Sequence, residues 1–528
     1  MWGHVQTVLT QDLSRAFRIR RGGPTAWPAA RTLLSLLVPL LVLLWIDRLD
    51  LVAAAVFGAL TSVHARDEPY RQQSRTLAVV AAAMVAATGI GDAIALSGSE
   101  PLALLGTAVV GAVTTAVAIA VRTGPPGGLI FAFATGACAH LPLAPADVPQ
   151  HLVTTALSGA FAWGVSALGA LVIGLGPQRR SVAGALEATA DHLADPNLTA
   201  RHRAAAAVET AWRSIAQVGH RHSASPEHLG LVRAVEACED LLADPTVAEV
   251  DLRAGAASVR AGRGYPGEEV ATSPPAPESR WREIRAVLHP HHPAGAWVVP
   301  HAFRVAVAGF AAGAITDLIG LGHAYWAAVS AVSVLQATST STSVPRMVQR
   351  VAGTVLGVLL GAALLGMDPQ PWMVIVLLPL LQFGAELTVL RNYAFGLFFA
   401  TPVALLVNAL LAPVDPTELA TSRFWATLLG AGVAVAVAWA APRGAWLRHV
   451  NRALAEVREL SADEPPRPRE LQRALVELHE AYDTASGEAR GAELPTEDLL
   501  EVSHRAYRIL DTAAERARSR DLPDGPQH

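Results

Sequence analysis

A chain of 528 residues with 52% hydrophobic side chains, mean hydropathy +0.34 and a net charge of −4 must hold several modules, and its charge implies no nucleic-acid partner. Its 41 basic residues are all arginine. Without lysine there is no Walker A phosphate loop, no Schiff base and no kinase-type lysine, so uphill pumping must draw on an ion gradient, a solute gradient or a separate subunit. Cys138 falls in an apolar stretch and Cys238 in a polar one, which argues against a disulfide framework.

Residues 1–30 carry Arg15, Arg18, Arg20 and Arg21 and read as a cytoplasmic N-terminal segment. Residues 31–176 form a first apolar block of six spans, about 32–47, 51–64, 76–96, 101–121, 127–141 and 151–175. Several of these fall short of the roughly 20 residues that a straight helix needs to cross the hydrocarbon core. Residues 177–280 alternate apolar and polar positions at three- and four-residue spacing, the pattern of amphipathic helices, and end in the linker-like "GRGYPGEEVATSPPAPES". A juxtamembrane elbow follows at 281–300. Its "HPHHP" (289–293) has prolines on both sides and no accompanying acid or cysteine, so it reads as irregular chain and not as a metal site. The second apolar block, 301–442, divides at about 302–320, 323–337, 350–367, 371–390, 392–411 and 423–441. Residues 443–528 predict a C-terminal domain of three amphipathic helices.

Arginine placement orients both blocks. Arg66, Arg71 and Arg75 lie between the second and third spans, Arg122 follows the fourth, and Arg179 and Arg180 follow the sixth. Arg346 and Arg350, Arg391 and Arg443 repeat this in the second block, while the alternate loops carry acids and prolines, Arg48 excepted. The positive-inside rule then puts both termini and both polar domains in the cytoplasm. Two six-span blocks of one orientation predict a parallel duplication. "FAFATGACA" (131–139) and "FFATPVALL" (398–406) occupy its matching fifth spans, with Thr135-Gly136 opposite Thr401-Pro402. Glycine or proline there frees backbone groups that hydrocarbon cannot satisfy, so paired interruptions beside a central cavity are expected. The fold class expected is an all-α integral membrane protein with two parallel six-helix transmembrane repeats, about 12 spanning helices, and a cytoplasmic helical domain after each.

"HAYWAAVSAVSVLQ" (323–336), "RVAGTVLGVLLGA" (350–362), "RNYAFGLFFATPVALL" and "SRFWATLLGAGVAVAV" together resemble the fusaric acid resistance and aromatic acid exporter family. Its Tyr-Trp, R-x-x-G-T-x-x-G, Asn-Tyr and Thr-Pro features stand here as Tyr325-Trp326, Arg350 to Gly357, Asn392-Tyr393 and Thr401-Pro402. In the first block Ala53 and Ala54 occupy the Tyr-Trp place, and no Gly-Thr pair follows Arg75. The resemblance implies a bacterial inner-membrane exporter of small, often aromatic, carboxylates, without specifying the substrate.

For such an exporter, arginine suits a carboxylate because its planar fork makes two parallel bonds. Arg75, Arg350 and Arg391 are the cations at helix ends; Gln336, Asn392, Thr135, Thr401 and Pro402 are polar or helix-breaking candidates; Tyr325, Trp326 and Phe399 offer stacking faces. Glu386, an acid before the end of an apolar span, and His64 are the candidate proton carriers. The expected partners are a small organic anion and the lipid bilayer; a homodimer is compatible with the sequence, and no cofactor or metal is called for. A proton-coupled exporter is the leading reading. A passive anion channel and a non-transporting envelope scaffold are the alternatives, and a membrane-embedded enzyme ranks below them because no nucleophile–base pair falls in the apolar blocks.

Overall fold

The computed structural model describes residues 26–66, 68–121, 123–124, 126–172, 174–218, 225–244, 251–265, 295–336, 340–411, 415–440, 444–463, 467–488 and 494–521, and every regular element among them is helical. The N-terminal arginines, Arg122, Arg443, linker residues 266–279 and the HPHHP stretch lie outside the described residues.

The first block comprises α1 (Ala26–Trp45), α2 (Val52–Ala59, flanked by the 3-10 turns Leu49–Leu51 and Leu60–Val63), α3 (Tyr70–Ala95), α4 (Glu100–Ala120), α5 (Leu129–Cys138) and α6 (Val148–Val172). The second comprises α11 (Gly295–Leu318), α12 (Tyr325–Leu335), α13 (Thr340–Leu365), α14 (Pro371–Thr388), α15 (Tyr393–Leu411) and α16 (Pro416–Ala440). Two boundaries differ from the sequence reading. α1 starts at Ala26, inside the expected polar segment, and α11 starts at Gly295, inside the expected elbow.

Among the described residues, nine helices are long and apolar enough to cross a membrane, and the chain is a multi-pass membrane protein. The other three apolar segments, Leu49–Val63, Leu129–Cys138 and Tyr325–Leu335, are shorter. Their shortness has a packing explanation. Every residue of α2 and of α12 is buried, so these helices are enclosed by their neighbours, where a helix apolar all round is stable without meeting lipid at both ends. Lipid-facing surface is supplied instead by the long helices through residues such as Val79, Val113, Leu157, Phe303 and Leu359.

Packing follows one pattern in both blocks. In the first, α3 packs on α5 and α6, α2 on α6, and α4 on α5; in the second, α13 packs on α15 and α16, α12 on α16, and α14 on α15. Across the blocks, α1 lies against α14 and α4 against α11. Glycines set the closest approaches. A Cβ on Gly58 of α2 would stand 2.3 Å from the Thr155 carbonyl oxygen of α6, and one on Gly430 of α16 would stand 2.2 Å from that of Ala327 on α12.

The expected interruptions do not break their helices: α5 runs through Thr135-Gly136 and α15 through Thr401-Pro402. Proline at 402 deprives the Phe398 carbonyl of its helical donor. That oxygen lies against Gly357 of α13, where an added Cβ would be only 3.0 Å away. The freed group is thus buried in protein, and the glycines of the R-x-x-G-T-x-x-G stretch are the surface that receives α15.

Two polar bundles follow the blocks. α7 (Gly176–Ala194), α8 (Leu198–Ala216), α9 (Pro226–Ala243) and α10 (Leu252–Arg260) share a core that includes Leu186, Trp212, Leu231 and Val259. Side chains of Asn197, Ser225 and Asp251 cap the starts of α8, α9 and α10. α17 (Gly444–Leu460), α18 (Pro468–Glu488) and α19 (Thr496–Asp521) form the second bundle, close to the three helices expected. The bundles dock through α8 on α18 and α9 on α19. His202 stacks on His479 with ring centroids 4.0 Å apart, Arg473 bonds Glu209 at 3.2 Å, and Arg201 pairs with Asp511 while lying over the Tyr507 ring.

Burial pushes the Glu239 carboxyl of α9 from its ordinary 4.5 up to about 7, against the opposing effects of the Trp212 indole hydrogen bond and Arg469. A raised acid binds its proton more tightly in the folded state, so its contribution to stability is full below about 4.5 and is lost as pH rises through about 7. Thermal melts of the full chain are expected to fall across that window, and Glu239→Gln to flatten the fall. An unchanged slope in the variant would show that other groups set it.

Candidate functional site

A cavity of about 140 Å³ lies between the two blocks. Its walls come from Ala53, Val56, Phe57 and Leu60 of α2 and its flanking turn, from Leu129, Ile130, Phe133 and Ala137 of α5, and from Leu397 to Leu411 on one face of α15. Residues of all three short helices, α2, α5 and α12, border it. Polar groups enter from the second block alone: Arg350 of α13, Gln382 of α14, Thr401 and Asn408 of α15, and Arg423 of α16.

The two arginines are the unusual members. Arg350 is 2% exposed and Arg423 5%. Arg350 donates from Nη1 to the Tyr393 hydroxyl at 3.0 Å and from Nη2 to Ser330 Oγ at 3.3 Å, with Nε unpartnered. The Arg423 guanidinium lies 4.7 Å over the Trp326 ring, and its Nε and Nη1 have no hydrogen-bond partner. Neither arginine forms an ion pair with a carboxylate among the described residues. Thr401 Oγ1 is also buried without a partner. A desolvated cation lacking a counter-ion is costly, and an anion in the cavity would relieve that cost.

Sequence reasoning placed some of these residues and missed others. Arg350 and Thr401 line the cavity; Tyr325 and Trp326 are buried on α12 and do not line it. Tyr325 stacks obliquely on His140 at 4.8 Å, and Trp326 on His323 at 4.7 Å. Arg75 and Arg391 do not join them: both are exposed, at the start of α3 and in the turn between α14 and α15. Asn392 accepts from the Ala394 amide at 2.9 Å, holding the first turn of α15. Phe399 packs on Gly384 of α14, Thr135 Oγ1 bonds the Ala87 carbonyl of α3, and Pro402 lies beside Gly361 of α13. Gln336 is reached by Arg346 at 3.5 Å. None of these five borders the cavity.

Glu386 is buried, as its place in an apolar span implied, but it is engaged. Arg66, from the turn after α2, holds its Oε1 at 2.6 Å, and Gln382 reaches the same oxygen at 3.4 Å. This pair joins the first block to the second just beyond the cavity. His64 is buried against Phe131; its carbonyl accepts from Arg31 at 2.7 Å and its ring nitrogens have no partner.

Arg423 was hidden by a boundary. Taking the last span to begin at 423 put it at the interface, whereas α16 starts at Pro416 and carries Arg423 two turns inward. A lone arginine followed by an apolar run broken only by Thr427 was the signal available.

Residues 310–437 match the fusaric acid resistance protein-like family. That fusaric acid resistance protein-like region contains all five polar residues of the cavity. The remaining walls, α2 and α5, come from outside it. An uncharacterized membrane protein of Bacillus subtilis, YvaC, is 23% identical over 92% of this chain and 85% of its own length. Shorter likenesses are 29% with the uncharacterized protein slr1298 of Synechocystis, over 30% of this chain and 20% of that one, and 31% with the uncharacterized ORF2 protein of Neisseria gonorrhoeae, over 32% and 38%. No solved structure matches.

Proposed function

We propose that this protein exports small organic anions, aromatic carboxylates among them, across the bacterial inner membrane through the cavity between its blocks, with proton influx as the drive. Two buried arginines without carboxylate partners on the wall of an otherwise apolar cavity are the observation that carries the reading. Such a site suits a carboxylate attached to an apolar body. A space of about 140 Å³ is close to the roughly 150 Å³ that admits benzene to a protein interior, so a single ring is the expected size. The family match in the second block supports an efflux role, the arginine distribution supports cytoplasmic termini and polar bundles, and the shared packing pattern supports a duplicated six-helix unit. Arg350 and Arg423 would hold the carboxylate, Thr401 and Asn408 would bond it or the ring substituents, and the Arg66–Glu386 pair would bridge the blocks on the cytoplasmic side.

Binding of labelled benzoate, salicylate and aliphatic acids to purified protein, and their efflux from cells lacking other acid exporters, test this. Losing one charge-assisted bond costs about 1.5–3 kcal/mol, so Arg423→Gln and Arg350→Gln are each expected to weaken aromatic-acid binding roughly 10- to 100-fold. Arg75→Gln, at an exposed arginine, is expected to leave it unchanged. Equal losses at Arg75 and Arg423, or no binding of any acid by the correctly inserted wild type, would overturn the reading.

A further inference from the structure

A second polar cluster is buried in the first block, behind the cavity wall. Asp92 of α3 is 0% exposed and His151 of α6 is 1% exposed, and His151 Nδ1 stands 3.0 Å from each Asp92 carboxylate oxygen. The other ring nitrogen, Nε2, is buried without a hydrogen-bond partner. Cys138, at the end of α5, completes a set whose ligand atoms all lie within 4.8 Å of one another. The charged and titratable groups around the pair are Cys138 from α5 and Asp50 with its partner Arg48 from the turn before α2. Asp147, before α6, and the His140–Glu100 pair stand at the same end of the bundle.

An acid and an imidazole sealed from water in a membrane block are functional candidates by default. Their proton inventory favours one role. With a single proton between them, on Nδ1, the pair carries one negative charge; a second proton on the unpartnered Nε2 lets the first cross from Nδ1 to the Asp92 carboxyl, leaving a neutral imidazole beside a neutral carboxylic acid. We propose that the Asp92–His151 pair is the proton-binding site that drives export, in place of Glu386, which Arg66 already neutralises. The proposal rests on the export reading for its purpose, but not for its chemistry.

α5 supplies the link to the cavity. Thr135 Oγ1 ties it to the Ala87 carbonyl of α3 at 3.0 Å, and Gly91 of α3 lies so close that an added Cβ would sit 2.6 Å from Cys138 Cβ. On its other face, Phe133 and Ala137 line the cavity. A change of charge behind α5 therefore acts on the helix that forms the wall, while the fixed cations face it from the second block.

Infrared difference spectra of the full chain in lipid, recorded as pH is lowered, provide the test. A carbonyl band of a buried carboxylic acid is expected to grow, to shift in heavy water, to vanish in Asp92→Asn, to move its midpoint in His151→Gln, and to persist in Arg66→Met/Glu386→Met. In proteoliposomes, Asp92→Asn is expected to lose benzoate movement driven by a pH gradient while keeping benzoate binding. A band that survives Asp92→Asn would overturn the site. So would a thiolate-to-cobalt absorption on adding cobalt(II), present in the wild type and lost in Cys138→Ser, because it would make the cluster a metal site. An Asp92-dependent band in a wild type that moves no organic anion would sink the export reading and leave the proton site standing.

Discussion

Glu386→Ala is expected to destabilise the folded chain by about 3–5 kcal/mol, because it leaves the Arg66 guanidinium buried without its counter-ion. The side chains of the pair are 9% and 3% exposed, so water cannot take over the lost partner. Arg66→Ala should cost a similar amount by stranding the carboxylate. The double variant Arg66→Met/Glu386→Met removes both charges and keeps the volume filled, and is expected to recover most of the loss, as replaced buried ion pairs often do. Detergent-solubilised thermal melts of the wild type, Arg66→Met, Glu386→Met and the double variant form a double-mutant cycle. Additive losses would show that the two side chains do not act as a pair. Efflux retained in the double variant would show that this acid carries no obligatory proton.

The second large effect is steric. Gly430→Ala would place a Cβ 2.2 Å from the Ala327 carbonyl oxygen and 2.9 Å from Ser330 Cβ. Backbone stands in the way there, not the end of a flexible side chain, so α12 and α16 must separate. Overpacking of this kind costs about 1–3 kcal/mol, and more where a backbone cannot yield. Gly432, half a turn along the same helix, has nothing within 4 Å of an added Cβ. Gly432→Ala is expected to be neutral or slightly stabilising through helix propensity. Yield and monodispersity after solubilisation measure both variants together; a loss of similar size at Gly432 would refute the packing argument. Because α12 and α16 hold Trp326 and Arg423 respectively, the proposed function requires any surviving Gly430→Ala protein to bind aromatic acids poorly.

Apolar runs with arginines at alternate ends made the helical class and the multi-pass membrane character legible. Span lengths were harder. α2 and α12 are short because they are enclosed, and enclosure depends on neighbours hundreds of residues away. The site was half legible. Arg350, Tyr325, Trp326 and Thr401 stood in recognisable patterns, but nothing local distinguishes an arginine at the lipid interface, such as Arg75, from one turned into a cavity. Depth decided Arg423, and polar Thr417, Glu418, Thr421 and Ser422 disguised the true start of its helix. Asp92 and His151 escaped notice because each sits within a helix-end turn of its own span and meets the other only on folding, across 59 residues.

The docked polar bundles constrain how far the molecule can change shape. α7 begins at Gly176, four residues after the last residue of α6, and α17 at Gly444, four residues after the last of α16. Each bundle is therefore an extension of one membrane block, and the contacts of His202 with His479, Arg473 with Glu209 and Arg201 with Asp511 clasp the two extensions together. Two arms clasped at one end behave like tweezers: the jaws can part at the far end while the clasped end stays nearly still. A working stroke in which the blocks splay on the bundle side would have to tear that clasp, whereas one that widens the opposite side costs it little. For a stroke of the second kind, fixing the clasp with a covalent bridge should leave export intact, and cutting the clasp should impair it.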